Sequence, residues 1–149
     1  MKGTFLQYKN NHDQRKFSYH NYQLQPVLME RHRNTLDWLS TLMLMKSEVR
    51  FFQSLLDKNA PRFTDVEGKK RIDHFQSLII YYRDELIDGM RTKVRLHEKK
   101  LAEMLEAKDE TQVSYFKEHD SLMAELDSLY KQFVIYKEEL LAFVGDTVR

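Results

Sequence analysis

Apolar side chains recur along most of this 149-residue chain at steps of three and four, the spacing that returns residues to one face of an α-helix. The longest series is Ile72, Phe75, Ile79, Tyr82, Leu86, Met90, Val94, Leu101 and Leu105. It predicts one helix from Thr64 to about Ala107, opened by a Thr64–Glu67 capping box. At 1.5 Å per residue such a helix is roughly 60 Å long, so other helices must lie alongside it. Ahead of it, Trp38, Leu42, Met45, Val49, Phe52 and Leu56 form an a/d seam in a helix from about Pro26 to Asp57 or Lys58. Behind it, Val113, Phe116, Met123, Leu126, Tyr130, Phe133, Leu140 and Val144 predict a third helix over about 110–144. Asp109 is its expected N-cap, with Gln112 at N3, and Gly145 its stop.

Pro61 cannot continue a helix and biases Ala60 to an extended form, which puts a turn at 59–63. Folding back there sets Trp38 opposite Leu86, Leu42 opposite Tyr82, Met45 opposite Ile79 and Phe52 opposite Ile72. Gly89 falls on this seam, where a close helix approach or a slight kink is expected. Folded about Asp109, the third helix reaches down the second to roughly Ile72. The fold expected is all-α: an elongated, coiled-coil-like, antiparallel three-helix bundle in up-down-up order. Residues 1–25 carry no helical stripe but hold Phe5, Tyr8, Phe17, Tyr19 and Tyr22, and read as a partly ordered aromatic arm. No internal repeat of solenoid length is visible.

The first helix is apolar over too wide an arc for one neighbour. Leu36, Leu39, Met43, Leu44, Phe51 and Leu55 broaden it beyond the seam. Leu36, Leu39, Met43, Phe51 and Leu55 are therefore the expected partner interface, and the expected partner is a second copy of the chain.

Composition narrows the chemistry. Charged residues make up 32% and only two prolines and four glycines occur, as in long helices laced with ion pairs and unlike a strand-and-turn protein. The chain contains no cysteine, so disulfide and thiolate chemistry are excluded. No leader and no apolar run of spanning length is read, and a cytoplasmic protein without a membrane partner is expected. Net charge is +1, but residues 1–35 count to +4 and the stretch from Glu98 to Asp146 to −6. The basic part can lie on the acidic hairpin or act as a weak nucleic-acid handle. Near-zero overall balance favours the first.

One polar layer interrupts the stripes. In the expected register His97 and Glu98 lie level with His119 and Asp120, and close in height to Glu30 and His32. His and carboxylates converging in a bundle can hold a metal, making His97, His119, His32 and Glu30 the metal candidates. Spacing speaks against it. No His has an acidic residue three or four positions away, and neighbours such as 97 and 98 point about 100° apart. A satisfied, register-setting layer is the plainer reading, with a pH-responsive one beside it. No nucleophile elbow and no phosphate-cradling glycine loop occurs. No catalytic residue, cofactor or small-molecule substrate is therefore expected.

The run Phe51-Phe52-Gln53-Ser54-Leu55-Leu56-Asp57-Lys58 ahead of a proline turn, with His97-Glu98-Lys99-Lys100-Leu101 and the His119 region, resembles small all-helical proteins of Bacteroidetes-type bacteria. The resemblance covers about 36–144. It implies the helical architecture and no activity. The function expected is a non-enzymatic, self-associating interaction or scaffold module, with a His/carboxylate ligand- or metal-binding bundle and a weak nucleic-acid binder as alternatives.

Overall fold

The computed structural model describes residues 26–109 and 112–148. The arm expected at 1–25 lies outside them. The described residues are helical almost throughout and contain no strand, so the chain is all-α. Helix α1 spans Pro26–Asn59 and a short 3₁₀ turn follows at Ala60–Arg62. Helix α2 spans Val66–Tyr81, a π turn Tyr82–Leu86, α3 Ile87–Glu106 and α4 Val113–Val148. The π turn joins α2 to α3 without a break, so three long helical rods make up the described chain. None of these helices is long and apolar enough to cross a membrane.

The described residues fall into two compact units, one combining 26–40 with 92–122, the other 41–91 with 123–148. In the first, Leu28 of α1 packs with Leu101, Met104 and Leu105 of α3 and Tyr115 of α4. The second is held by aromatic rings. Phe63 stacks on Phe143 with centroids 4.3 Å apart, Phe143 lies 5.3 Å from Phe75, and Tyr82 meets Phe133 edge-on at 5.2 Å. The Tyr136 hydroxyl donates to the Phe75 carbonyl at 2.8 Å, giving a buried phenol its polar partner.

Several expectations are corrected here. The helix after the Pro61 turn starts at Val66, with Asp65 in the extended N-cap position and making no side-chain cap. The Thr64–Glu67 capping box therefore does not form. Gly68, the third residue of α2, lies beneath this start of the helix. Phe63 and Asp65 fold over it so closely that a Cβ there would lie 2.6 Å from Asp65 Oδ1 and 3.0 Å from the Phe63 ring.

Within the second unit the register of α1 on the second rod also differs. Lys46 pairs with Asp88 at 2.6 Å, Gln53 accepts from Arg83 at 2.9 Å, and Asp57 from Gln76 at 3.4 Å. Met45 is thus level with the neighbourhood of Asp88, not with Ile79. The first turns of α2 run past the end of α1, where Phe63 and Phe143 supply the apolar surface that α1 does not.

The π turn shifts the buried stripe. Ile72, Phe75, Ile79 and Tyr82 are buried as expected, but the next buried side chain is Ile87, with Leu86 only half-buried. The Ile87 N–H donates to the Tyr82 carbonyl, five residues back, so one extra residue is wound into the rod. Gly89 is exposed and has nothing near it, so it marks no close approach.

In α4 the buried series is Tyr115, His119, Leu122, Leu126, Leu129, Phe133, Tyr136, Leu140 and Phe143, an unbroken alternation of four and three. Val113, Met123 and Tyr130, placed on the stripe from sequence, are exposed. Gly145 does not stop α4, which continues to Val148, and Asp109 lies four residues ahead of it instead of capping it. Asp109 instead closes α3. Its N–H donates to the Met104 carbonyl at 2.9 Å and that of Lys108 to Leu105 at 3.2 Å, the paired bonds of a Schellman stop. Lys108 takes the left-handed conformation there, φ 56, a place that favours glycine.

Two outcomes follow for stability, each read by denaturant unfolding. Ile87→Ala is expected to cost about 2–5 kcal/mol, and Leu86→Ala clearly less, because only Ile87 is fully enclosed. Lys108→Gly is expected to stabilise the chain by roughly 1 kcal/mol, with its helical signal unchanged.

Candidate functional site

The polar residues of the first unit occupy seam positions, which is why they are buried. In α1, steps of four and three run Leu28, His32, Thr35, and all three are enclosed. In α3 the series Val94, His97, Leu101 puts His97 on the buried face, and in α4 Tyr115, His119, Leu122 does the same for His119. Buried imidazoles need partners at both ring nitrogens, since an unsatisfied polar atom in a core costs about 1–3 kcal/mol.

His97 and His119 meet that requirement through one line of hydrogen bonds. His97 Nδ1 lies 2.7 Å from Glu118 Oε1, His97 Nε2 lies 2.8 Å from His119 Nδ1, and His119 Nε2 lies 3.1 Å from Asn34 Nδ2. The ends set the direction. A carboxylate only accepts, so His97 carries its proton on Nδ1 and its Nε2 is an acceptor. The Asn34 amide nitrogen only donates, so His119 Nε2 accepts and Nδ1 bears the proton. The Asn34 amide thus donates to His119, His119 to His97, and His97 to Glu118. Both rings are neutral and every ring nitrogen is partnered.

Rings and charges enclose the line. Tyr115 stacks on His97 at 4.4 Å, nearly parallel, and Trp38 lies 4.6 Å from His119. Lys100 donates to the second Glu118 oxygen at 2.6 Å. Burial alone would push the Glu118 carboxyl up, but hydrogen bonds from Lys100 and His97 outweigh it and hold the group below its ordinary value. His119 moves the other way from a free imidazole. Burial, then the neighbouring His97 and Arg31, push it down to about 4.

A second His–carboxylate contact lies beside the first. His32 Nδ1 donates to Glu98 Oε1, and the other Glu98 oxygen meets the Thr35 hydroxyl, which also reaches the His32 carbonyl at 2.7 Å. The helices α1 and α3 are thereby joined through Glu98, and α3 and α4 through His97.

The sequence candidates divide accordingly. His97, His119, His32 and Glu98 come together in this unit, whereas Glu30 and Asp120 are exposed. The carboxylate that serves His97 is Glu118, which sequence reasoning passed over, along with Asn34, Thr35 and Tyr115. The signal for them was present. Continuing the four-three alternation of α4 through Tyr115 and His119, and that of α1 back through Thr35 and His32, places all four on or beside the seam.

The geometry does not suit a metal. Among the described residues no group of three or more His, Asp or Glu is arranged to hold an ion. The facing nitrogens of His97 and His119, 2.8 Å apart, share a proton. Two imidazoles on one zinc, each with its nitrogen about 2.0–2.1 Å from the ion, would stand further apart.

The depressed His119 value makes stability depend on pH. The unfolded ring takes a proton near its ordinary 6.5, the folded one only near 4. Stability is therefore complete above about 6.5 and falls as pH drops toward about 4. The loss expected over that window is roughly 3 kcal/mol, and urea unfolding at several pH values checks it against His119→Gln, which should flatten this part of the profile. No family model, no curated protein and no solved structure matches this chain.

Proposed function

We propose that the chain is a non-enzymatic helical interaction module that self-associates through one face of its second unit. The observation that carries this reading is an apolar surface on two adjoining helices. On α1, Leu44, Glu48, Phe51 and Leu55 share one row at steps of four, three and four. On α4, Tyr130, Val134, Lys137 and Leu141 form another. The rows are tied together where Lys137 donates to Glu48 at 2.7 Å. Leu44 (63%), Phe51 (60%), Tyr130 (46%) and Leu141 (49%) are largely open to solvent around that ion pair, with Leu55 and Val134 half-buried.

Apolar side chains grouped around an ion pair on neighbouring helices have the form of an interaction patch, not of scattered surface leucines. A two-fold pairing of such a patch sets each Phe51 against apolar neighbours of the other copy. Of the interface residues expected from sequence, Phe51 and Leu55 belong to this face, and Met43 is exposed elsewhere on α1. Leu39 is half-buried in the first unit, and Leu36, 4% exposed, lies in the core. Leu36 is thus withdrawn from the interface.

The same reading includes an antiparallel, up-down-up arrangement of the three rods. Supporting it in the second unit, contacts from α1 fall in residue number along the second rod: Lys46 to Asp88, Gln53 to Arg83, Asp57 to Gln76. Contacts from the second rod to α4 fall likewise, from Phe75 with Phe143 to Tyr82 with Phe133.

Sedimentation or light scattering across a concentration series tests the proposal. The expected result is a reversible dimer, weakened about tenfold or more by Phe51→Glu, with helix content retained. A chain that stays monomeric at high concentration overturns it.

A further inference from the structure

A line of hydrogen bonds between two imidazoles has two possible directions, and one added proton is enough to reverse it. We infer that the Asn34–His119–His97–Glu118 line is a two-proton latch on the first unit: a first proton reverses its Asn34–His119–His97 part with every bond kept, and a second breaks it. This is independent of the proposed interface, which uses other residues in the other unit.

The proton count runs through named atoms. At rest the line points from Asn34 to Glu118. A proton taken from solvent settles on His97, the ring in contact with a carboxylate, and His97 then bears N–H on both nitrogens. Its Nε2–H donates to His119 Nδ1. The proton that His119 held on Nδ1 moves to Nε2, so this ring changes tautomer and stays neutral. Asn34 is half-buried and meets the new Nε2–H by turning its carboxamide over to present Oδ1. One proton has entered and no hydrogen bond is lost.

A second proton has no such accommodation. It would sit on His119 Nδ1, setting two N–H groups against each other across a separation of 2.8 Å with no acceptor between them. The groups facing the pair do not relieve this. Arg31 and His32 approach from α1, Glu98 and Lys100 from α3, and Tyr115, Glu118 and Asp120 from α4. Of the carboxylates, Glu118 is engaged by His97 and Lys100, Glu98 by His32 and Thr35, and Asp120 lies at the surface. Parting of the rings frees α3 from α4 beside the cluster of Leu28, Leu101, Met104, Leu105 and Tyr115, so acid uncovers an apolar surface that neutral pH keeps closed.

The full chain with nitrogen-labelled imidazoles tests this by NMR, alongside emission from Trp38, the one tryptophan in the sequence, which lies against His119. On the first step His97 should become protonated at both nitrogens. His119 should stay neutral and move its proton from Nδ1 to Nε2, and Trp38 emission should hold steady. On the second, at lower pH, Trp38 emission should change and the amides of α3 should lose protection. The latch is overturned if His119 keeps its Nδ1–H tautomer through the first step, if both rings titrate together, or if Trp38 responds to the first proton. Asn34→Leu, which withdraws the donor from the resting line and the acceptor from the protonated one alike, should move the first step little. Asn34→Asp, which only accepts, should raise it and hold His119 as the Nε2–H tautomer from the start. Should the leucine variant not fold, the aspartate variant decides alone, and no upward shift there rejects the inference.

Discussion

Two imidazoles buried against each other must each find a donor for one nitrogen and an acceptor for the other, and the first unit is arranged around that demand. Asn34 supplies one end from α1 and Glu118 the other from α4, while His97 enters from α3. Helices that pack only leucine on leucine can slide by a turn at modest cost, since one apolar contact resembles the next. A line of four polar groups cannot slide, because a displaced member leaves an unpaired atom in the core. The layer therefore fixes register, and the apolar residues around it supply the energy of association.

The second unit solves the same problem of register with rings. Phe63, Phe75, Tyr82, Phe133, Tyr136 and Phe143 interlock by shape, and a buried polar tie from the Tyr136 hydroxyl to the Phe75 carbonyl adds direction. Arg71 lies over Phe143 at 4.3 Å, covering the last ring with a cation that also faces water. Where the turn after α1 leaves the start of α2 without α1 beside it, this ring stack takes that place.

Helix type, number and approximate bounds were legible in the apolar spacing, because three- and four-residue steps leave little alternative over thirty residues. So was the convergence of His97, His119 and His32, since each interrupts a stripe on the buried side. What spacing could not show was phase. Leaving Tyr115 and His119 out of the series put Val113 and Met123 on the wrong face of α4. Treating the Pro61 turn as tight misplaced the partners of α1, because the residues that lengthen it, Phe63 and Asp65, do so by closing over Gly68. The pairing of His97 with Glu118 instead of Asp120 is a matter of two positions in a helix, about 200° of direction, and only the packed structure distinguishes them.

The π turn has a consequence for how this chain tolerates changes in length. An ordinary α-helix that loses one residue rotates everything beyond the gap by a quarter-turn or more, carrying core side chains out to water. Between Tyr82 and Ile87 the winding already holds one residue too many. Loss of one there relaxes the wide loop into plain α-helix and restores the ordinary three- and four-residue steps, so the segment acts as a reservoir of slack in the rod.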